Sequence, residues 1–333
     1  MTEHIMRAVM HDTFGEPVDV LDVRERPIPE PGPGQVRLRI TLATIHNHDL
    51  WTIRGTYGFK PELPAPAGTE VVGRVDALGE GVDSLEVGQR VVSGSSFGTW
   101  ADFAVVDAAG LIPVPDAFPD ESAAQLVSMP FSAIALLDFL QVERGQWIVQ
   151  NAANGAVGRL LAQLAASRGV HVLSLVRRAG ARDDLAAHGI ANVVSTSDDD
   201  WRDQVATLTG GAPIVVGVDS AGGAATNDVV SLLAEEATLV VFGAMAASNM
   251  EISSGAVIFR SIRVIGFWGS KVSQEMNDDK KSALFGELLN AVASGAITLP
   301  VAAVYDADDV RTAVSPDAQS SRDGKVLLRF SDQ

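Results

Sequence analysis

Apolar and polar positions along this chain follow two different rhythms. Over the first ~120 residues the apolar runs are short and bounded by turns, which reads as all-β. Gln35-Val36-Arg37-Leu38-Arg39-Ile40 alternates residue by residue, and Pro27, Pro29, Pro31 and Pro33 break the approach to it. Apolar runs at 71–75 and 90–92 sit between glycine turns, so this half predicts a barrel-like β domain. From Ser122 onward, β-rich runs at 147–149, 170–176, 191–195, 213–219, 237–243 and 262–267 alternate with helix-patterned segments such as 157–165, 201–208 and 226–233. That alternation predicts an α/β domain with a parallel, doubly wound sheet and crossovers on both faces. The tail carries a helix with Leu284, Leu288, Leu289 and Val292 on one side, then a last strand over 325–330. It is expected to rejoin the first domain. The predicted division is therefore 1–122 with 275–333, and 123–274, with the active site in the cleft between domains.

The most specific stretch is 147–178. An apolar run, Trp147-Ile148-Val149, enters a small-residue turn, Asn151-Ala152-Ala153-Asn154-Gly155-Ala156-Val157-Gly158. Val157, Leu160, Leu161, Leu164 and Ala165 follow at helical spacing until Gly169, and a second apolar run ends in Arg177-Arg178. Strand, glycine turn, helix, strand is the dinucleotide-binding unit. Gly155 permits backbone approach to a pyrophosphate, Gly158 permits helix-on-strand packing, and the helix N-terminus offers N–H groups. Ala153 stands at the first glycine of G-x-G-x-x-G, so context carries the motif. An acidic residue ending the second strand would accept the ribose 2′-hydroxyl of NAD. Arg177 and Arg178 stand there instead and suit a 2′-phosphate through forked donors, which favours NADPH. Two solvated arginines on a loop are the plainer alternative.

Composition narrows the partners. At 333 residues the chain holds about two domains, and 47% hydrophobic residues support buried cores. A net charge of -17, from 42 acidic and 25 basic residues, argues against nucleic acid or anionic membrane as main partners. No apolar run approaches the ~18 residues of a membrane span, and the opening MTEHIMRAVMHDTFGEP lacks a signal-peptide core. The chain has no cysteine, which excludes disulfides and thiolate zinc sites and leads us to expect a cytoplasmic protein.

Gly68-Thr69-Glu70-Val71-Val72-Gly73 stands where zinc-dependent medium-chain dehydrogenases carry G-H-E-x-x-G, with Thr69 at the ligand histidine. Ile45-His46-Asn47-His48-Asp49 stands at their C-H-T-D segment without its cysteine, and the four-cysteine zinc lobe is missing. The chain thus resembles the zinc-free branch of the medium-chain dehydrogenase/reductases. That implies a GroES-like β-barrel domain plus a Rossmann domain. Within the branch it is most similar to trans-2-enoyl-thioester (enoyl-CoA/enoyl-ACP) reductases. The shared segments are 54–65 (RGTYGFKPELPA), 149–152 (VQNA), 242–245 (FGAM) and 266–270 (GFWGS). Quinone reductases of the branch also carry a G-T-Y run. The resemblance makes Tyr57 the proton donor and Ser132 a catalytic hydroxyl. It places Asn154, Gly155, Ala156 and Val157 on the pyrophosphate and Arg177 and Arg178 on the 2′-phosphate. Phe242, Gly243, Ala244, Met245, Phe267, Trp268, Gly269 and Ser270 would line the nicotinamide side, and Lys325 would contact the cofactor. The family's N-P-x-T-A-Y segment reads Met129-Pro130-Phe131-Ser132-Ala133-Ile134, so Met129, with Trp268, shapes the substrate pocket.

Chemistry weighs these assignments. Reducing an enoyl thioester needs hydride at the β-carbon, hydrogen-bond donors at the thioester oxygen and a proton at the α-carbon. A phenol with pKa near ~10 keeps its proton at neutral pH. Of the two tyrosines, Tyr57 and Tyr305, only Tyr57 lies in a glycine-flanked loop, though its ring could equally pack beneath that loop. His46, His48 and Asp49 invite a metal reading, but Thr69 is no ligand, and we expect no zinc. Trp268 suits either a core or dimer role or the ligand cleft, and 262–267 is a candidate edge strand for a two-fold homodimer. Three functions stay open: an NADPH-dependent reductase of a small unsaturated thioester, an NADPH:quinone or enone reductase favoured by Met129 and Ile134, and an NADPH-binding protein without turnover.

Overall fold

The computed structural model describes residues 5–94, 96–178, 180–320 and 324–330, in two compact units, Met1–Ser128 with Leu299–Gln333 and Met129–Thr298. The first unit is organised on the strand Gln35–Thr44, whose Val36, Leu38, Ile40 and Leu42 are buried as the alternation predicts. It pairs antiparallel with Glu70–Leu78 along one edge and with Phe103–Asp107 and Lys325–Arg329 along the other. Arg90–Ser93 and Ile112–Pro113 extend the sheet beyond Glu70–Leu78, and Val301–Asp306 extends it beyond Lys325–Arg329. A smaller sheet, Asp22–Pro27, Ile5–His11 and Ala65–Pro66, completes a mainly β unit around a core that includes Leu38, Val71, Trp100 and Phe330.

The second unit is a six-stranded, wholly parallel sheet. Its order is Val193–Ser195, His171–Val176, Trp147–Gln150, Ile214–Asp219, Thr238–Val241 and Arg263–Gly266. The winding reverses between Trp147–Gln150 and Ile214–Asp219, and open α/β sheets bind ligands beyond the carboxyl ends of the strands at that point. The helix Ala156–Ser167 buries Leu160, Leu161, Leu164 and Ala165, the helical spacing seen in the sequence. Its approach depends on Gly158, where a Cβ would lie 2.9 Å from the Cα of Ala153. No helix among the described residues is long and apolar enough to cross a membrane.

The division falls after Ser128 and after Thr298, not at 122 and 274 as the sequence pattern suggested. The helix Asp278–Ala293 accounts for the second difference. It buries Leu284, Phe285, Leu288 and Ala291, and the Phe285 ring stacks on Phe131 of the second unit. Arg168–Glu287 and Lys280–Asp138 ion pairs hold it to the same unit. The strands Val301–Asp306 and Lys325–Arg329 are the part of the tail that joins the first unit.

One buried pair fixes the part of the first unit that matters most below. The Glu70 and His46 side chains are both fully buried, with Glu70 Oε2 2.5 Å from His46 Nε2. Glu70 Oε1 accepts the backbone N–H groups of Val127 (2.5 Å) and Ser128 (2.9 Å). One carboxylate thus joins the strand Glu70–Leu78, the start of the helix Asn47–Arg54 and the chain at 127–128. Burial pushes the Glu70 carboxyl from an ordinary 4.5 up to about 7, against the pull of the amide donors and of Lys325. Burial, reinforced by Lys325 and His48, holds the His46 imidazole well below its ordinary 6.5.

Unfolding releases both groups to their ordinary values. Just below pH 6.5 the folded pair keeps one proton, on Glu70, and the unfolded chain also keeps one, on His46. The two opposing contributions cancel there. Glu70→Gln leaves only the imidazole, whose lowered value makes stability fall as pH drops below 6.5. Relative to wild type, Glu70→Gln is expected to lose unfolding free energy as pH falls below about 6.5, at up to about 1.4 kcal/mol per pH unit, read by urea denaturation. Parallel pH curves for the two proteins would contradict this sharing of the proton.

Candidate active site

In the first unit the candidate residues gather around the helix Asn47–Arg54. Its first turn is fixed by Asp49, whose Oδ2 accepts the His46 backbone N–H at 2.8 Å. Its end is fixed by Gly55 at φ 73°, where a Cβ would meet the Phe14 ring at 2.8 Å. The chain then turns back, with the N–H groups of Thr56 and Tyr57 both donating to the Trp51 carbonyl. This presents Tyr57 half-buried, its ring centroid 5.9 Å from that of His48. Tyr305, by contrast, packs against the barrel core.

His48 is itself held. Its Nε2 lies 2.8 Å from Thr69 Oγ1, and Thr69 donates to Asp49 Oδ1 at 2.7 Å. Asp49 is fully buried and Thr69 nearly so. The His46 and His48 rings stack at 4.9 Å. Of the side chains that invited a metal reading, His48 and Asp49 are thus each bonded to Thr69, and His46 to Glu70. Lys325, on the last strand of the same unit, acts electrostatically on both His46 and Glu70.

In the second unit the turn after Trp147–Gln150 has Ala152 at φ 49° and leads into the helix Ala156–Ser167 with Gly155 as its N-cap. Asn154, Gly155, Ala156 and Val157 are all part-exposed, and a first helical turn carries N–H groups with no partner in the helix. Gly158 is the glycine that packing demands, whereas a Cβ at Gly155 would come only within 3.2 Å of a carbonyl. Arg177 and Arg178 follow the strand His171–Val176, both exposed, their side chains without a hydrogen bond or ion pair among the described residues.

Asn151 and Asp219, which the sequence reading passed over, hold this edge together. Asn151 follows the first and Asp219 ends the second of the two strands at the reversal of winding, and both are buried. Asn151 Nδ2 donates to Asp219 Oδ1 at 2.5 Å, while Asn151 Oδ1 accepts the N–H of Ser220 at 2.7 Å. Asp219 also takes the N–H groups of Ala221 and Gly222 and the hydroxyl of Thr226. Phe242 and Gly243 donate to the Asp219 carbonyl, and Met245 to that of Ser220. The loop 242–245 thus hangs from a turn that Asn151 ties to the glycine turn. A polar residue at the carboxyl end of an apolar strand run was the available signal.

The remaining candidates divide by exposure. Phe267 is buried and touches both Phe242 (5.8 Å) and Phe139 (5.2 Å), so it is a packing residue linking the loop 242–245 to the helix Ser128–Phe139. Trp268 is 66% exposed and Met245 51%, with Ala244 and Ser270 also exposed. Ser132 lies close to Gly269, where a Cβ would stand 3.5 Å from its Oγ. Met129 and Ser132, three apart on their helix, are both half-buried. Ile134 is fully buried, whereas Met129 keeps part of its surface accessible.

Residues 32–116 match the alcohol dehydrogenase GroES-like domain family, and residues 156–282 match the zinc-binding dehydrogenase family. The chain is 30% identical over 302 residues to the mitochondrial enoyl-[acyl-carrier-protein] reductase of Mus musculus, covering 89% of this chain and 81% of that one. Among solved structures, an NADPH:quinone reductase from Bacillus thuringiensis superposes with a TM-score of 0.89 at 26% identity, covering 98% of this chain and all of the other. A mycobacterial protein solved in complex with NADPH superposes at 0.84 with 28% identity, over 97% of this chain and all of that one. With a GroES-like domain, a Rossmann-type sheet and Thr69 at the zinc-ligand position, the chain belongs to the zinc-free branch of the medium-chain dehydrogenase/reductase family of oxidoreductases, alongside enoyl and quinone reductases.

Proposed function

We propose that the chain is an NADPH-dependent reductase that saturates the carbon–carbon double bond of a 2-enoyl thioester, with Tyr57 as proton donor. The observation that carries this reading is the setting of Tyr57, half-buried on a fixed turn against a hydrogen-bonded imidazole. The enoyl reductase name of the mouse relative and the NADPH complex of the mycobacterial neighbour support it.

The residues present fit the cofactor. The helix start at 154–157 is open, Gly158 lets helix and turn close up, and two arginines without a side-chain partner among the described residues follow the second strand. Asn154, Gly155, Ala156 and Val157 would hold the pyrophosphate, Arg177 and Arg178 the 2′-phosphate, and 242–245 with 267–270 the nicotinamide side. Lys325 would add a cationic contact. When bound, the reduced nicotinamide supplies the hydride. Tyr57 gives its phenolic proton to the α-carbon, a donor that keeps its proton at neutral pH because phenols ionise near ~10. The Ser132 hydroxyl donates to the thioester oxygen as negative charge grows on it.

A quinone or enone substrate is the second reading. It is favoured by Met129, a half-buried thioether where the resemblance has an asparagine amide, and by the quinone reductase name of the Bacillus thuringiensis neighbour. The compartment we assign is the cytoplasm, on the cysteine-free composition. We also assign a homodimer built on the edge strand Arg263–Gly266. All four of its residues are exposed, including Val264 and Ile265, and the helix Ser254–Phe259 beside it exposes Val257, Ile258 and, at 83%, Phe259. An apolar open edge of this kind is covered by a second copy's edge in two-fold pairing.

Crotonyl-CoA, a naphthoquinone and a simple enone, offered in parallel with NADPH, separate the readings. Crotonyl-CoA turnover that falls about a hundredfold or more in Tyr57→Phe is the expected result. Reduction of the quinone alone, with Tyr57→Phe silent, would sink the thioester reading, and tight NADPH binding with no turnover would leave a binding protein. Arg177→Ala with Arg178→Ala should raise KM for NADPH about tenfold or more while leaving KM for NADH nearly unchanged. Equal effects on both would remove the 2′-phosphate assignment. Light scattering should find a dimer that Ile265→Arg converts to monomer, and a wild-type monomer would end the edge-strand assignment.

A further inference from the structure

The chain from Asp49 to His48 runs through a hydroxyl with a single proton. Thr69 Oγ1 gives that proton to Asp49 Oδ1, so at its 2.8 Å contact with His48 Nε2 it can only accept. Nε2 therefore carries a hydrogen, and Nδ1 is the nitrogen that can take up and release a proton. The arrangement has the order carboxylate, hydroxyl, imidazole, with the carboxylate fully buried and the imidazole 20% exposed to solvent. Asp49 Oδ1 itself lies 3.6 Å from Nε2. The other charged or titratable groups around it are His46, stacked behind it and kept neutral by burial, then Glu70 and Lys325 beyond His46, and Tyr57 in front.

From this geometry we infer that His48 is the proton source that recharges Tyr57 after each turnover, with Thr69 and Asp49 holding its ring. The inference rests on Tyr57 being the proton donor, as proposed above. In the first step the Tyr57 O–H bond breaks as the α-carbon–hydrogen bond forms, leaving a phenolate. In the second, the His48 imidazolium loses its Nδ1 proton and the phenol O–H bond re-forms. The neutral imidazole then takes a proton from water at its exposed edge. No electrons change hands after the hydride step. Thr69 and Asp49 are positioning residues here, because they act through the imidazole.

The role separates a first turnover from those that follow. With NADPH bound and enzyme in excess over crotonyl-CoA, a single turnover needs only the proton already on Tyr57. Under multiple turnover the phenolate must be recharged each time. In His48→Gln the single-turnover rate should stay within about twofold of wild type while kcat falls about a hundredfold, the low end of general acid–base contributions. Thr69→Val, which keeps the imidazole but removes the hydroxyl that orients it, should show the same split in weaker form, about threefold in kcat, and serves if His48→Gln does not fold. Added imidazole should restore kcat in His48→Ala. Wild-type values in both regimes would overturn the inference, and so would an equal fall in both, which marks a scaffold residue. A first turnover unchanged in Tyr57→Phe would instead remove the tyrosine reading itself.

Discussion

A carboxylate that loses all contact with water must be surrounded by donors or give up its charge, and Glu70 does some of each. Two backbone amides and an imidazole converge on it, and its affinity for a proton rises all the same. Much of the first unit's candidate chemistry depends on that convergence. His46 opens the helix that carries His48 and Asp49, and the same helix ends at Gly55, where the chain swings Tyr57 round against His48. Glu70 also follows directly on Thr69, so the strand that supplies the carboxylate supplies the hydroxyl. A substitution at Glu70 would therefore act on the chemistry through the start of a helix.

The second unit solves a similar problem with neutral and charged groups together. Asn151 and Asp219 stand at the ends of adjacent strands where the sheet changes its direction of winding, and each satisfies backbone amides that no strand or helix could satisfy there. The result is a rigid ledge from which the glycine turn and the loop 242–245 both project. Phe267 joins that loop to the helix carrying Met129 and Ser132 by ring contacts. Groups far apart in sequence are thus positioned by a few buried polar bonds and three aromatic rings.

Much of this was legible in the residues. Alternation at 35–40, helical spacing at 157–165 and the apolar runs of the parallel sheet all reflect burial, which leaves a periodic trace, and the strands and helix stand where those traces lie. The helix Asp278–Ala293 was recognisable as a helix but not in its unit, because an apolar stripe does not say which core it fills. The hydrogen bonds among His48, Thr69 and Asp49 join positions about twenty apart, and nothing periodic marks them. His46 and His48 looked like candidate ligands because a sequence shows donors without showing who already receives from them.

The two arginines that follow the strand His171–Val176 stand in a protein of net charge -17. Such a surface pushes phosphorylated molecules away over long distances, while the arginines attract them only at close range. Ions in solution weaken the distant force first, since the screening length is about 10 Å at 0.1 M salt. A little salt thus speeds encounter with a polyanion before more salt begins to loosen its hold, and the fastest capture falls at an intermediate ionic strength rather than at the lowest.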